Sequence, residues 1–172
     1  FNLHDTMIYR KRGSSLPDPT RYFQAFEYMF VLSRGKPKTI NKIYDVKNTW
    51  VGEHSSDTVR EKDGKTWSRK ARVTPEYSYR SNIWSYLIGW MHTTTDDYAY
   101  EHPAMFPEEL AKDHIISWSN EGDLVLDPFC GSGTTCKMAK QQLRKYIGIE
   151  ISETYMKIAK RRMAQDVMQN YF

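Results

Sequence analysis

The sequence predicts an α/β protein with an open sheet, and two stretches carry that expectation. The first is Leu124-Val125-Leu126, which runs into Asp127-Pro128-Phe129-Cys130-Gly131-Ser132-Gly133-Thr134-Thr135 and then into a helical pattern. A strand ending in Asp-Pro feeds a turn in which Gly131 and Gly133, having no Cβ, take positive φ. The backbone there can approach a ligand, and the following amides point outward from a helix N-terminus. The second stretch is Tyr146-Ile147-Gly148-Ile149, which ends in Glu150, 17 residues beyond Gly133. A carboxylate at the tip of the second strand of a βαβ unit, roughly 20 residues past the glycines, reaches the ribose diol of a nucleoside cofactor. A nicotinamide site would need glycine where Cys136 stands, and a phosphate loop would need Gly-Lys-Ser/Thr. An ordinary glycine turn followed by an incidental acid has the same spacing, so glycines and acid alone leave that alternative open.

The remaining elements follow in chain order. Alternation around Leu3, Thr6 and Ile8 predicts a first strand. Pro17, Asp18 and Pro19 break it, and residues 21–33 resume a strand pattern with Phe23, Phe26, Tyr28, Phe30 and Leu32, up to the turn signal Arg34-Gly35-Lys36-Pro37. From 36 to 100 the character changes to short apolar clusters, many aromatics and few helical periods. Residues 60–80 hold Arg60, Lys62, Lys65, Arg69, Lys70, Arg72 and Arg80 against Glu61, Asp63 and Glu76, a local +4 that equals the net charge of the whole chain. Charge concentrated in this way suits a phosphate backbone. Trp67, Tyr77, Tyr79, Trp84, Tyr86 and Trp90 interleave with it, as rings that stack on bases would. A solvated basic loop over a small aromatic core fits equally, and residues 80–84 also suit a structural turn with Trp84 packed on the main body.

Pro107 at the first helical position, Glu108 and Glu109 in the first turn, an apolar face of Leu110, Ala111, Ile115 and Trp118, and Gly122 just past the end predict a helix. A closing helix starts at the N-cap Ser152. It turns Tyr155, Ile158, Ala159 and Met163 to one face and leaves Lys157, Lys160, Arg161 and Arg162 outside.

A formal charge of +4 and 40% hydrophobic residues over 172 positions fit one soluble globular domain. The longest apolar runs fall far short of the roughly 20 residues that span a bilayer, and no charged-then-apolar leader opens the chain, so no membrane association is expected. Cys130 and Cys136 are the only cysteines and flank one loop and its helix. They suggest neither a disulfide framework nor a zinc site, and they suit a reducing cytoplasm. A small buried thiol is the simpler account of Cys130 than a nucleophile.

The run His102-Pro103-Ala104-Met105-Phe106-Pro107-Glu108-Glu109-Leu110, then Gly122-Asp123-Leu124-Val125-Leu126-Asp127-Pro128-Phe129, then Gly131-Ser132-Gly133-Thr134-Thr135, then Tyr146-Ile147-Gly148-Ile149-Glu150, resembles the permuted DNA amino-methyltransferases. The likeness is strong over 102–162 and weaker over 1–42. It implies a Rossmann-like S-adenosylmethionine methyltransferase fold and methyl transfer to N6 of adenine or N4 of cytosine in double-stranded DNA, as in restriction-modification systems. It places Asp127, Pro128, Phe129, Gly131, Ser132, Gly133 and Thr134 at the methionine end of S-adenosylmethionine and Glu150 at its ribose. His102, Pro103 and Phe106 line the pocket, although some relatives carry Lys-Pro where Phe106-Pro107 stands here. Residues 1–42 become an edge hairpin of the catalytic domain, 43–100 an inserted target-recognition region, and 101–172 the cofactor-binding βαβ part. The implied setting is the cytoplasm of a bacterium, an archaeon or a phage-infected cell, on DNA.

The family also carries Asp, Ser or Asn followed by Pro-Pro and an aromatic, whose side chain and carbonyl accept the hydrogens of the target amine. An exocyclic amine with its lone pair delocalised into the ring is a poor nucleophile without such acceptors. No Pro-Pro occurs in this sequence, so no catalytic residue is assigned. The family sheet has seven strands, and the sequence supplies about four. The central strands are therefore expected in polypeptide before Phe1, leaving the fold incomplete and the chain inactive alone. Bare strand edges then call for a missing N-terminal segment, a second chain or a homodimer. Two other functions remain open from sequence: a non-catalytic nucleic-acid-binding module with a degenerate cofactor fold, and an RNA methyltransferase.

Overall fold

A computed structural model of the protein describes residues 1–13, 19–55, 58–69 and 72–165. Pro17, Asp18 and Lys70 lie outside the described residues. The chain divides into two compact units, Phe1–Asn41 with Asn82–Phe172, and Lys42–Ser81. No helix among the described residues is long and apolar enough to cross a membrane, and no group of His, Cys, Asp or Glu among them has the makings of a metal site.

The first unit opens with β1 (Asn2–Arg12) and β2 (Phe26–Ser33), paired antiparallel from Asn2↔Ser33 to Arg10↔Phe26 with one irregularity at Leu3/Asp5. Period-2 alternation turns Met7 and Tyr9 of β1 into the core. The second strand begins at Phe26, so the expected span of 21–33 is shortened at its start.

The second unit is a set of nested antiparallel pairs. β3 (Tyr44–Lys47) pairs with β8 (Tyr77–Tyr79), β4 (His54–Ser55) with β7 (Arg72–Val73), and β5 (Thr58–Arg60) with β6 (Thr66–Ser68). Each pair lies inside the previous one in sequence, so the unit is a two-stranded ribbon. Its tip is a turn in which the Glu61 N–H donates to the Lys65 carbonyl at 2.8 Å and Gly64 donates to Glu61 at 3.0 Å.

The chain then returns to the first unit with β9 (Ile83–Leu87), which pairs parallel to β1 and gives the order β2-β1-β9. This strand corrects the sequence expectation. Trp84 and Tyr86, counted among aromatics for base stacking, are 6% and 8% exposed, and the Tyr86 hydroxyl donates to Asp113 at 2.7 Å. The reason is the alternation Ile83-Trp84-Ser85-Tyr86-Leu87, which places both rings on one face of a half-buried strand. The unit thus contains five described strands, not four.

After a 3₁₀ turn at Asp97–Glu101 come α1 (Glu108–Trp118), β10 (Leu124–Asp127), α2 (Thr134–Gln141), β11 (Lys145–Gly148) and α3 (Glu153–Ala164). Pro107, expected at the first helical position, is instead the N-cap of α1, which starts one residue later at Glu108. β10 and β11 pair parallel from Leu124↔Lys145 to Asp127↔Gly148, with α2 as the crossover that a parallel pair requires. Ala111 and Ile115 of α1 pack on Met138 and Ala139 of α2, with Val125 of β10 against them. The alternate positions Leu124 and Leu126 are 59% and 58% exposed, and Ile147 and Ile149 are about half exposed. One face of this parallel pair is therefore covered and the other bare.

Candidate functional site

The site forms where β10 and β11 end side by side. Asp127 closes β10 and its Oδ1 accepts from the Phe129 N–H at 3.0 Å, which turns the chain sharply. Gly131 and Gly133 then take φ of +52° and +81°. A Cβ at Gly131 would fall 2.8 Å from His102 Nε2, and one at Gly133 would fall 2.9 Å from the Ala159 Cβ of α3. The loop is thus pressed between the His102 ring and α3, and only glycine fits either place.

Glu150 stands just beyond β11 and clamps this loop. Its Oε2 accepts from the Gly131 N–H at 2.9 Å and its Oε1 from the Ser152 N–H at 2.8 Å. The amide of Ser152, then those of Gly131 and Ile151, together with the nearby His102, hold the carboxyl below its ordinary range despite partial desolvation. The His102 ring packs edge-on against Tyr155 at 4.4 Å. His102, Pro103 and Phe106 come together on a cavity of about 520 Å³, whose lining also includes Tyr9 and the ion-paired Lys11 and Glu27. Pro128 is exposed and Phe129 is 88% exposed at the outer edge of the turn.

Ser132 and Thr134 are placed differently from what a ligand-facing pair would show. Both are buried, and their hydroxyls accept from Arg162 Nη1 at 3.2 and 2.9 Å. Arg162, expected on the solvent face of α3, has a fully buried side chain. Its Nε meets Asp96 Oδ2 at 2.9 Å and its Nη2 meets Glu108 Oε1 at 2.5 Å. Lys137 of α2 donates to the same two carboxylates at 2.7 and 2.8 Å. Two cations thus face two anions, which is what makes the burial tolerable. Burial pushes the Asp96 carboxyl up, but the donors Lys137, Gln165 and Arg162 outweigh it and leave it below its ordinary value. A signal for Arg162 existed, because Tyr155, Ile158, Ala159 and Arg162 lie at i, i+3, i+4 and i+7. Nothing local marks Asp96 or Lys137.

Both thiols titrate above their ordinary range. Burial, then the other thiol and Asp127, push Cys136 up to about 12. Burial followed by the charges of Asp127 and Glu150 raises Cys130.

In the ribbon, Arg60, Lys62, Lys65, Arg69 and Arg72 are exposed, and Trp67 and Tyr79 are about half exposed beside them. Arg80 is already engaged, with Nε 2.8 Å from both Asp45 oxygens, and its hydrogen bond holds Asp45 below the usual carboxylate range in spite of some desolvation. Trp90, outside the ribbon, stacks at a tilt on Tyr100 at 4.6 Å.

A larger opening of about 590 Å³ shares Tyr9, Glu27 and Phe106 with the His102 cavity and reaches Thr135 in the first turn of α2. Tyr9, Glu27 and Met29 of the β2-β1-β9 sheet form one side, Leu124 and Val125 of β10 another, and α1 residues including Leu110, His114 and Trp118 a third. The Trp118 indole N–H is buried without an acceptor among the described residues.

The family model described as DNA methylase, for N6 and N4 methyltransferases, matches residues 1–161. The orphan methyltransferase M.BamHII of Bacillus amyloliquefaciens is 54% identical over 166 residues, covering 95% of this chain and 63% of its own length. The DNA adenine methyltransferase YhdJ of Escherichia coli K12 is 39% identical over 118 residues, covering 63% of this chain and 38% of its own. The chain therefore spans less than two thirds of these relatives. Among solved structures, the M1.HpyAVI–SAM complex superposes with a TM-score of 0.59 at 23% identity over 95% of this chain and 63% of that one. The cytosine-N4-specific PvuII DNA methyltransferase gives 0.61 at 21% identity over 94% of this chain and 51% of that one. These two likenesses establish a shared Rossmann-like fold.

Proposed function

The chain belongs to the N6/N4 DNA methylase family, and on that premise we propose that it binds S-adenosylmethionine at residues 127–134 and Glu150 for methylation of an exocyclic amine in DNA. One observation carries this: Glu150 is fixed to the Gly131 amide at the carboxyl ends of two parallel strands, beneath the His102 ring. That is where open α/β sheets hold their ligands. When bound, S-adenosylmethionine supplies an electrophilic methyl group on a sulfonium centre.

The chain's own residues suit that group. The ionised Glu150 keeps acceptor sites beyond its two amide partners, enough for a ribose diol. The N-terminus of α2, at the Gly133 cap, suits the carboxylate of the methionine end. With the Ser132 and Thr134 hydroxyls turned to Arg162, the loop acts through its backbone. His102, Pro103 and Phe106 wall the adjoining cavity. Isothermal titration with S-adenosylmethionine tests the assignment. Affinity should be lost in Asp127→Ala and in Glu150→Ala, and unchanged binding in both would sink it.

The ribbon is the proposed DNA contact. A two-stranded ribbon matches the major groove, about 12 Å wide, and the exposed Arg60, Lys62, Lys65, Arg69 and Arg72 offer phosphate partners. Arg80 is left out of that set because Asp45 occupies it. Salt-dependent DNA binding without any cofactor affinity would favour the non-catalytic module instead, and preference for structured RNA over duplex DNA would favour an RNA substrate.

Methyl transfer itself is assigned to the whole protein. Parallel strands normally bury both faces, yet Leu124 and Leu126 are bare, and the opening beside them is lined by Trp118, whose indole N–H has no acceptor among the described residues. Further strands, carrying the Pro-Pro motif and its amine acceptors, fill that opening from a longer polypeptide or a second chain. Association of two copies through the same face is the competing arrangement, separable by sedimentation. Activity on cytoplasmic DNA follows from the same assignment.

A further inference from the structure

Beyond the residues that would touch the cofactor, the buried charge network ties together segments that are distant in sequence. Arg162 Nη1 donates to the Ser132 carbonyl at 3.0 Å as well as to the hydroxyls of Ser132 and Thr134. Its other two nitrogens hold Asp96 and Glu108, with Thr94 Oγ1 at 3.5 Å from Nη2. Asp96 lies just before the 3₁₀ turn Asp97–Glu101, which leads directly into His102, the residue whose ring presses on Gly131. Glu108 opens α1, and its Oε1 also accepts from the Thr94 hydroxyl at 2.6 Å. One guanidinium therefore spans the glycine loop and the segment that carries the opposing wall of the site.

We propose that Arg162 is a positioning residue that holds residues 131–134 in their ligand-binding shape by fixing the loop to the 94–102 segment. This rests on the cofactor assignment above for its functional consequence, but not for its structural content. Only a planar fork can serve these partners together. Lysine keeps the charge yet presents its donors at one point, so it cannot reach the Ser132 carbonyl, Asp96 and Glu108 at once. A site whose backbone drifts by about 1 Å loses on the order of a hundredfold in performance, even where no contacting group is altered.

The test compares Arg162→Lys with the unmodified 172-residue chain, well below the melting temperature of either. Hydrogen exchange of peptides covering 130–137 should speed up at least about tenfold, while ribbon peptides within 42–81 stay unchanged. S-adenosylmethionine affinity by titration should fall about tenfold to a hundredfold. Unchanged loop exchange and unchanged affinity in a folded Arg162→Lys overturn the inference, as does uniformly faster exchange throughout the chain, which marks a merely structural role. Faster loop exchange in a chain whose unmodified form has no cofactor affinity upholds the positioning role and removes the cofactor assignment. Should Arg162→Lys fail to fold, the isosteric Asp96→Asn, which weakens the same anchor, is read by the same two measurements and against the same outcomes.

Discussion

Replacing Lys137 by methionine isolates the cost of unbalancing the buried network. Its side chain is 8% exposed, and its ammonium lies 2.7 Å from Asp96 and 2.8 Å from Glu108, which are themselves 8% and 18% exposed. Methionine fills a similar volume, so no cavity is expected and the loss is electrostatic. Two carboxylates would then share the single charge of Arg162. Removing one member of a buried pair typically costs 3–5 kcal/mol. Water near the partly open Glu108 argues for the lower end, about 3 kcal/mol, or roughly 6–12 °C in melting temperature for a chain of this size.

The loss should also depend on pH. Asp96 titrates below its ordinary 3.8 because its donors, Lys137 first, outweigh the burial that pushes it up. A depressed carboxyl contributes stability that is present above its unfolded value and disappears as pH falls through its folded value. Without Lys137 that contribution shrinks, and protonation relieves the surplus negative charge. The gap between the two proteins should therefore be widest at neutral pH and narrow as pH drops to about 4 and below. Urea unfolding followed by circular dichroism at pH 7 and pH 4 measures it, with Lys112→Met as control. The Lys112 pair with Glu109 is exposed at 3.3 Å and should matter by less than about 0.5 kcal/mol. A loss under 1 kcal/mol at pH 7, or equal losses at both pH values, would refute the reasoning.

Five further outcomes are expected. Gly131→Ala brings a Cβ to 2.8 Å from His102 Nε2 at φ +52°; the left-handed backbone alone costs about 1–2 kcal/mol, so titration should show at least about tenfold weaker cofactor binding, partly restored by adding His102→Ala. Trp84→Ala should cost about 3–5 kcal/mol in urea unfolding, because Trp84 is core and stacks on His114 at 4.7 Å. Trp67→Ala should instead leave stability within about 0.5 kcal/mol and weaken DNA binding by fluorescence anisotropy. Neutralising Arg60, Lys62 and Lys65 together should reduce the slope of log affinity against log salt by about 2 to 3. Both thiols are buried and protonated, so alkylation by iodoacetamide at pH 8, followed by mass spectrometry, should be at least about a hundredfold slower in the folded chain than in urea.

Much of the candidate site's geometry was legible because its signals are short-range. The positive-φ glycines, the Ser152 cap that accepts from Tyr155, and the acid at the end of β11 each depend on a few adjacent residues. The hairpin of β1 and β2 was legible for the same reason, since alternation fixes which side chains share a face. The strand β9 was hidden because its aromatic-rich alternation sits beside a basic segment, and composition weighed the neighbourhood more heavily than the period. The same neighbourhood made Arg80 look like a phosphate ligand, whereas its partner Asp45 lies 35 residues earlier in the ribbon.

Local sequence is enough to specify the strand–loop–helix–strand of residues 124–150, the two helices that flank it, and the family to which these motifs point. Those features arise from backbone propensity and side-chain period, which act over one or two turns of chain. The tertiary structure alone decided that β9 pairs with β1, that the Ser132 and Thr134 hydroxyls face inward, and that Arg162 is buried. A guanidinium leaves water only where opposite charge and acceptors meet it at short range. Here they come from Asp96, 66 residues earlier, and from Glu108, 54 residues earlier. No window along the chain contains that meeting, because the fold creates it.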